Sequence, residues 1–257
     1  MNRIEDLFKK KSKNILSVFY TGGFPKLNDT TVVAKELEKA GADLIEIGIP
    51  FSDPVADGPV IQESNKAALD NGMTLKILLQ QVKEIRNEVK LPIILMGYLN
   101  PVLQYGIEKF CADASQAGVD GVILPDLPLA EFENEYKSIF EKSNIRIVFL
   151  ISPTTEESRI REIDNASSGF IYAVSASSTT GAKGEFSKAQ LDYFEKLRSL
   201  KLKNPLLIGF GISTAASFGV ASQFATGAIV GSAFIQTLKS ASDLGQEIHG
   251  FVKAIKG

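Results

Sequence analysis

Residues 42–50 read Ala-Asp-Leu-Ile-Glu-Ile-Gly-Ile-Pro. Side chains alternate along a strand, so Ile45, Ile47 and Ile49 share one face while Leu44, Glu46 and Gly48 share the other. Three isoleucines suit a face packed on surrounding helices. Glu46 then points toward the interior, beside a glycine and near the C-terminal end of its strand. A barrel keeps its active site at that end.

The pattern repeats outward from this stretch. Strand-like runs are Ile15–Tyr20, Leu44–Ile49, Ile93–Tyr98, Gly121–Pro125, Arg146–Ile151, Phe170–Ser175, Leu206–Gly209 and Ala228–Gly231, eight in all. Between them the helix candidates include Thr30–Ala40, Leu75–Val89, Ile107–Ala117, Ala130–Lys142, Glu156–Ala166 and Lys188–Leu200. Gly41 and Gly118 follow two of these, at the position where a left-handed glycine ends a helix at little cost. Eight βα units without a Pro/Ser-rich linker predict a closed (β/α)8 TIM barrel, with residues 1–257 as one domain. Ile4, Leu7 and Phe8 fall at helical spacing and predict an extra N-terminal helix. An open doubly wound sheet fits this order and count less well.

Composition narrows the function classes. A net charge of -2 supplies no basic field for a nucleic-acid backbone. The single cysteine, Cys111, permits no internal disulfide and suits a reducing cytoplasm. The first fourteen residues carry no export signal, and no run is long enough to span a bilayer. The expected setting is cytoplasmic.

An inward glutamate among apolar neighbours is costly to ionise, so its pKa should rise toward neutrality, where a carboxyl can both give and take a proton. No strand run sets a basic residue opposite Glu46, although Arg146 opens the fifth. The following segment, 50–59, holds three prolines and a glycine and forms a stiff rim loop carrying Asp53 and Asp57. Either aspartate alone reads equally well as a turn residue. Paired with Glu46, an aspartate on this rim suits acid–base work without a metal. The only histidine, His249, lies far along in the C-terminal helix, and Cys111 reads as packing.

The last two strands end in Gly209-Phe210-Gly211-Ile212-Ser213 and Gly231-Ser232-Ala233. Glycine lets backbone approach a ligand, and the helix starts that follow offer free N–H groups; paired turns here form the usual barrel phosphate site. A dinucleotide fingerprint would need glycine at position 214, which is threonine. The small, polar segment 175–184 sits on the same rim and reads as a lid, with Thr180 able to hydrogen-bond substrate or the loop carrying Asp57.

Residues 44–59 together resemble the signature of the tryptophan synthase α-subunit family. Asn100-Pro101, Tyr105-Gly106, Pro125-Asp126-Leu127-Pro128, Thr180-Gly181, Gly209–Ser213 and Gly231-Ser232 are also similar to family segments, in order from about Phe19 to Ser232. The resemblance implies a retro-aldol lyase of tryptophan biosynthesis that cleaves indole-3-glycerol phosphate to indole and glyceraldehyde 3-phosphate. It implies Glu46 as the proton shuttle at indole C3 and Asp57 as the carboxylate stabilising the positive indole through its ring N–H. Phe19, Tyr98 and Tyr172 would line the indole pocket. Thr180 and Gly181 match the lid, and Phe210, Gly211, Gly231 and Ser232 match the phosphate positions. The resemblance also implies a pyridoxal-phosphate β subunit in an α2β2 complex, met through the loops 50–59 and 175–184, and no cofactor in this chain. Two departures stand out: Phe24 where many relatives have aspartate, and Ser177-Ser178-Thr179 before Thr180. Both bear on lid packing and regulation more than on chemistry.

Two alternatives stand beside this reading. Another phosphate-binding barrel enzyme, such as an isomerase or an indole-glycerol-phosphate synthase, would be expected to use other acid–base groups or inward lysines. A non-catalytic barrel that only activates a partner enzyme has no evident need for both Glu46 and Asp57.

Overall fold

The computed structural model describes residues 2–175 and 186–257. Its strands are β1 Ile15–Thr21, β2 Leu44–Gly48, β3 Ile93–Met96, β4 Gly121–Ile123, β5 Arg146–Val148, β6 Leu150–Ile151, β7 Ile171–Val174, β8 Leu206–Gly209 and β9 Gly227–Val230. All pairings are parallel, in the order β5-β4-β3-β2-β1-β9-β8-β7-β6. The two ends of that order are separated in the chain by Phe149 alone, so continuous backbone closes the sheet into a barrel.

The fifth run therefore departs from the single expected strand. Phe149 is buried against Phe132, ring centroids 5.3 Å apart and edge-on, and the ladder gives way at this packed ring. Its carbonyl still accepts from the Tyr172 N–H at 3.0 Å, so pairing with β7 continues across the break. Residues expected at the ends of other strands (Ile49, Gly97, Tyr98, Pro125, Ser175 and Gly231) lie in the loops of the rim.

Alternation along the strands divides the core in two. Ile45, Ile47 and Ile49 join the outer layer between sheet and helices. Ile15, Leu44, Ile94, Ile123, Val148, Phe170, Leu207 and Ile229 fill the barrel. Helices surround this sheet, including Asp29–Ala40, Ile107–Ala117 and Lys188–Ser199, close to their expected bounds. Gly41 and Gly118 end the first two at φ 92 and 90, the left-handed conformation glycine adopts freely. Leu75–Val89 stops earlier, at Ile85, where the chain passes into a turn and the Arg86 side chain donates to the Gly118 and Leu91 carbonyls. Ala130–Lys142 is divided into Leu129–Glu131, a π-helical turn Phe132–Tyr136 and Lys137–Lys142, with Phe132 stacked edge-on to both Phe140 and Phe149.

The N-terminal helix Arg3–Lys10 closes the base of the barrel. Ile4, fully buried, enters the inner core against Gly121 and Gly169, where added Cβ atoms would lie 2.8 and 3.0 Å from it. Asn2 caps the helix through Ile4 N and donates to the Asp120 and Asn144 carbonyls. Asp120 itself binds Arg86 at 2.5 Å, Arg3 at 3.0 Å and the Ile93 N–H at 2.9 Å. These contacts fix the end of the barrel opposite the rim.

Candidate active site

Glu46 stands in the middle of β2, opposite Phe19 of β1 and Ile94 of β3. It is fully buried. Ser17 Oγ donates to its Oε1 at 2.6 Å, whereas Oε2, equally shielded, has no hydrogen-bond partner among the described residues. Burial pushes this carboxyl up to about 7, against the opposing pull of the Ser17 hydroxyl. Arg146, at the start of β5, binds Glu5 at 2.6 Å and not Glu46.

Asp57 hangs over the same end from the loop after β2. Tyr98 Oη donates to its Oδ2 at 3.2 Å and accepts from the Ala56 N–H at 3.0 Å, tying the loop to the end of β3. Burial raises the Asp57 carboxyl to about 6, opposed by the Tyr98 hydrogen bond. Burial and the charge of Asp57 drive Tyr98 up to about 12, so its phenol remains a donor. Asp53, from the same loop, is exposed and receives the Ser52 hydroxyl at 2.5 Å, away from the carboxyl pair.

A cavity opens between these loops. Its walls are chiefly apolar, from Phe19, Ile49, Met96, Leu150 and Phe210, with Asp57 and Tyr98 on one side. Gly48, two residues beyond Glu46 on the same strand face, forms part of its floor, so Glu46 sits one layer beneath. Tyr172 is buried beside this space, its ring edge-on to Phe210 at 6.2 Å. Its hydroxyl is held well above the ordinary phenol value by burial, then by the nearby charges of Glu46 and Asp57. Glycine at 209 makes room for that ring, since a Cβ there would fall 2.2 Å from Tyr172 Oη.

At the far side of the cavity Phe210 and Gly211 both take left-handed backbone, φ 67 and 76. The Ser175 hydroxyl donates to the Phe210 carbonyl at 2.6 Å and braces this turn. The two helices that follow strands β8 and β9 differ at their starts. Helix Ala215–Phe224 is capped by its own Thr214 side chain. Helix Ser232–Ser240 begins after Gly231, which has no side chain to cap it, so its first N–H groups face outward with the positive end of the helix. A Cβ on Gly231 would lie 3.5 Å from the Phe19 ring, so this helix start adjoins the aromatic wall.

The structure thus brings Glu46, Asp57, Phe19, Tyr98, Tyr172, Phe210, Gly211, Gly231 and Ser232 around one end of the barrel. Thr180 and Gly181 lie outside the described residues, as does most of the expected lid. Four contributors were not assigned to the site from sequence. Ser17 could have been found, because it precedes Phe19 by two on β1 and so shares the inward face. Ile61 and Asn65 reach the cavity from helix Pro59–Asp70, which was not among the expected helices. Asp126 accepts the Leu99 N–H with both oxygens, at 2.9 and 3.0 Å, and pins the loop after β4 to the helix after β3.

A family model described as tryptophan synthase alpha chain matches residues 6–254. The tryptophan synthase alpha chain of Parabacteroides distasonis is 50% identical over 100% of both chains. That of Flavobacterium johnsoniae is 52% identical, over 98% of this chain and 100% of the relative. Among solved structures, tryptophan synthase subunit alpha from Legionella pneumophila superposes with a TM-score of 0.89 at 34% identity, over 100% of this chain and 97% of the other.

Proposed function

The chain belongs to the tryptophan synthase alpha chain family, the lyases that cleave indole-3-glycerol phosphate to indole and glyceraldehyde 3-phosphate, and we propose which of its residues carry that reaction. Glu46 is the proton shuttle. It delivers a proton to indole C3, which makes the ring cationic and weakens the bond from C3 to the glycerol chain. As that bond breaks, its electron pair returns to the ring, the adjacent hydroxyl becomes the aldehyde, and Glu46 takes the hydroxyl proton. The shuttle ends in the state in which it began. A carboxyl near 7 suits both halves of this cycle, being about half protonated at neutral pH. Asp57, near 6 and largely ionised at pH 7, accepts the indole N–H and offsets the positive charge of the ring.

Phe19, Tyr98 and Tyr172 shape the indole site. The phosphate binds at Phe210, Gly211, Gly231 and Ser232, where the uncapped helix start supports anion binding. Thr180 and Gly181 close over the substrate. The observation that carries this reading is Glu46 itself: a buried carboxyl that has neither a cation nor a partner for Oε2 among the described residues, beneath an apolar cavity walled by Asp57.

The whole chain acts as one barrel domain in the cytoplasm, without a cofactor of its own. Its partner is a pyridoxal-phosphate β subunit in an α2β2 assembly, met by the loops 50–59 and 175–184. Val55, 88% exposed at the tip of the first loop, supports that docking face. An assay of indole release, with and without the β subunit, tests the reading. Glu46→Gln is expected to lose at least about a thousandfold in turnover while binding a non-cleavable indole alkyl phosphate normally. Unchanged turnover in that variant would overturn it.

A further inference from the structure

We infer that Ser17 is a positioning residue for the reaction, reserving Glu46 Oε1 so that the shuttled proton comes and goes at Oε2. The inference rests on the catalytic reading of Glu46. Ser17 is fully buried on β1, two residues before Phe19, and Phe19 pairs with Glu46 while Ser17 pairs with Leu44. Its hydroxyl therefore approaches the carboxylate diagonally, from the base side of the barrel. The other neighbours at this level are apolar: Leu44 on β2, Ile94 on β3 and Ile229 on β9.

A hydroxyl placed in such a layer costs stability unless it is hydrogen-bonded, and its acceptor here is Glu46 at 2.6 Å. The bond survives both protonation states. The hydroxyl donates to Oε1 of the carboxylate and, more weakly, to the carbonyl oxygen of the protonated acid. In either state Oε1 is occupied, which leaves Oε2 as the oxygen that carries the proton. The bond also fixes the plane of the carboxyl, which a buried side chain needs if it is to meet both the ring carbon and the hydroxyl of one substrate.

Among the described residues, Ser17 from β1 hydrogen-bonds Glu46, and Tyr172 from β7 feels the charges of both Glu46 and Asp57. Tyr172 stays neutral well above physiological pH. Loss of the Ser17 hydroxyl removes a donor that favours the ionised carboxylate, so the titration of Glu46 moves upward.

The experiment is Ser17→Ala, read two ways: steady-state cleavage of indole-3-glycerol phosphate, and NMR titration of carboxyl-labelled glutamate with the Glu46 signal assigned through Glu46→Gln. We expect kcat to fall about tenfold with KM within about twofold, and the Glu46 titration to rise by about one pH unit. If Ser17→Ala does not fold, Ser17→Cys, near in volume and a poor donor, serves the same comparison. An unmoved titration, or a moved titration with unchanged kcat, overturns the positioning role and leaves the catalytic reading of Glu46 standing. Full turnover in Glu46→Gln overturns both.

Discussion

One buried carboxylate sits at the base of this barrel and another inside it beneath the rim cavity, and they are treated in opposite ways. Asp120, at the base, is 3% exposed and surrounded by donors: Arg86, Arg3 and the Ile93 N–H. Glu46, toward the rim, is fully buried with one hydroxyl for company and an oxygen left over. Burial by itself therefore does not mark a catalytic acid. A buried carboxylate with matching cations is a fixed point of the fold, and one without them is held ready to exchange a proton.

Removing each charge should separate activity from stability. Glu46→Gln carries the largest expected effect, at least about a thousandfold in turnover, with the unfolding free energy at neutral pH undiminished. Asp120→Asn should leave the turnover of folded protein within about twofold and lower stability by about 3 kcal/mol, because Arg86 is left buried without its counter-charge. Denaturant melts and indole assays on both variants check the pair. A stable Asp120→Asn, or an unstable Glu46→Gln, would break the contrast. Asp57→Asn comes next, expected to cost roughly a hundredfold in turnover. A loss below tenfold would return Asp57 to the role of a loop residue.

The pH dependence of stability sharpens the same contrast. The folded value for Glu46, about 7, lies above its ordinary 4.5. Its neutral form is the one the fold tolerates. The contribution of Glu46 is thus fully present below about 4.5 and is lost as pH rises through 7. Wild-type protein should be less stable than Glu46→Gln at pH 8 by roughly 3 kcal/mol, and the gap should nearly close by pH 4.5. Parallel urea titrations at the two pH values measure it, and an equal gap at both would show that Glu46 ionises normally.

Much of this arrangement was legible beforehand, for identifiable reasons. Alternation around Glu46 gave its direction, because Ile45 and Ile47 on either side of it pack on the helices; Ile49, past the strand end, also reaches the cavity. The eight strand-like runs gave closure, although the break at Phe149 was hidden: its cause is the ring of Phe132, seventeen positions away in the chain and visible only once packed. Asp57 could not be distinguished from Asp53 by chemistry alone, since each is an aspartate on one proline-rich loop. What separates them is the Tyr98 phenol, brought from the next strand end. Ser17 was open to the same alternation that found Glu46, but a lone serine carries no signal until the register between β1 and β2 sets it beside the carboxylate. The base was the least readable region. Asn2, Arg3, Arg86 and Asp120 meet there from separate helices and loops, and no local pattern links them.

The smallest expected effect contrasts two glycines, one at each end. Gly118 at the base and Gly211 at the rim both have left-handed backbone, φ 90 and 76. Alanine at either position should incur about 1–2 kcal/mol of backbone strain. Their surroundings differ. A Cβ at 118 would lie 2.7 Å from Arg86 Cγ, inside the ion-pair cluster, whereas at 211 the nearest atom among the described residues is Ser175 Oγ at 3.7 Å. Gly118→Ala should therefore lower stability and leave KM alone. Among the described residues Gly211→Ala has room for its methyl group, and its strain can relax by shifting the Phe210–Gly211 turn. Binding of glycerol phosphates should then weaken by about tenfold, with a smaller loss of stability than at 118. Calorimetric titration with a glycerol phosphate decides the case: equal affinity in Gly211→Ala would mean that the turn is braced for the fold, as at the base, and does not hold the phosphate.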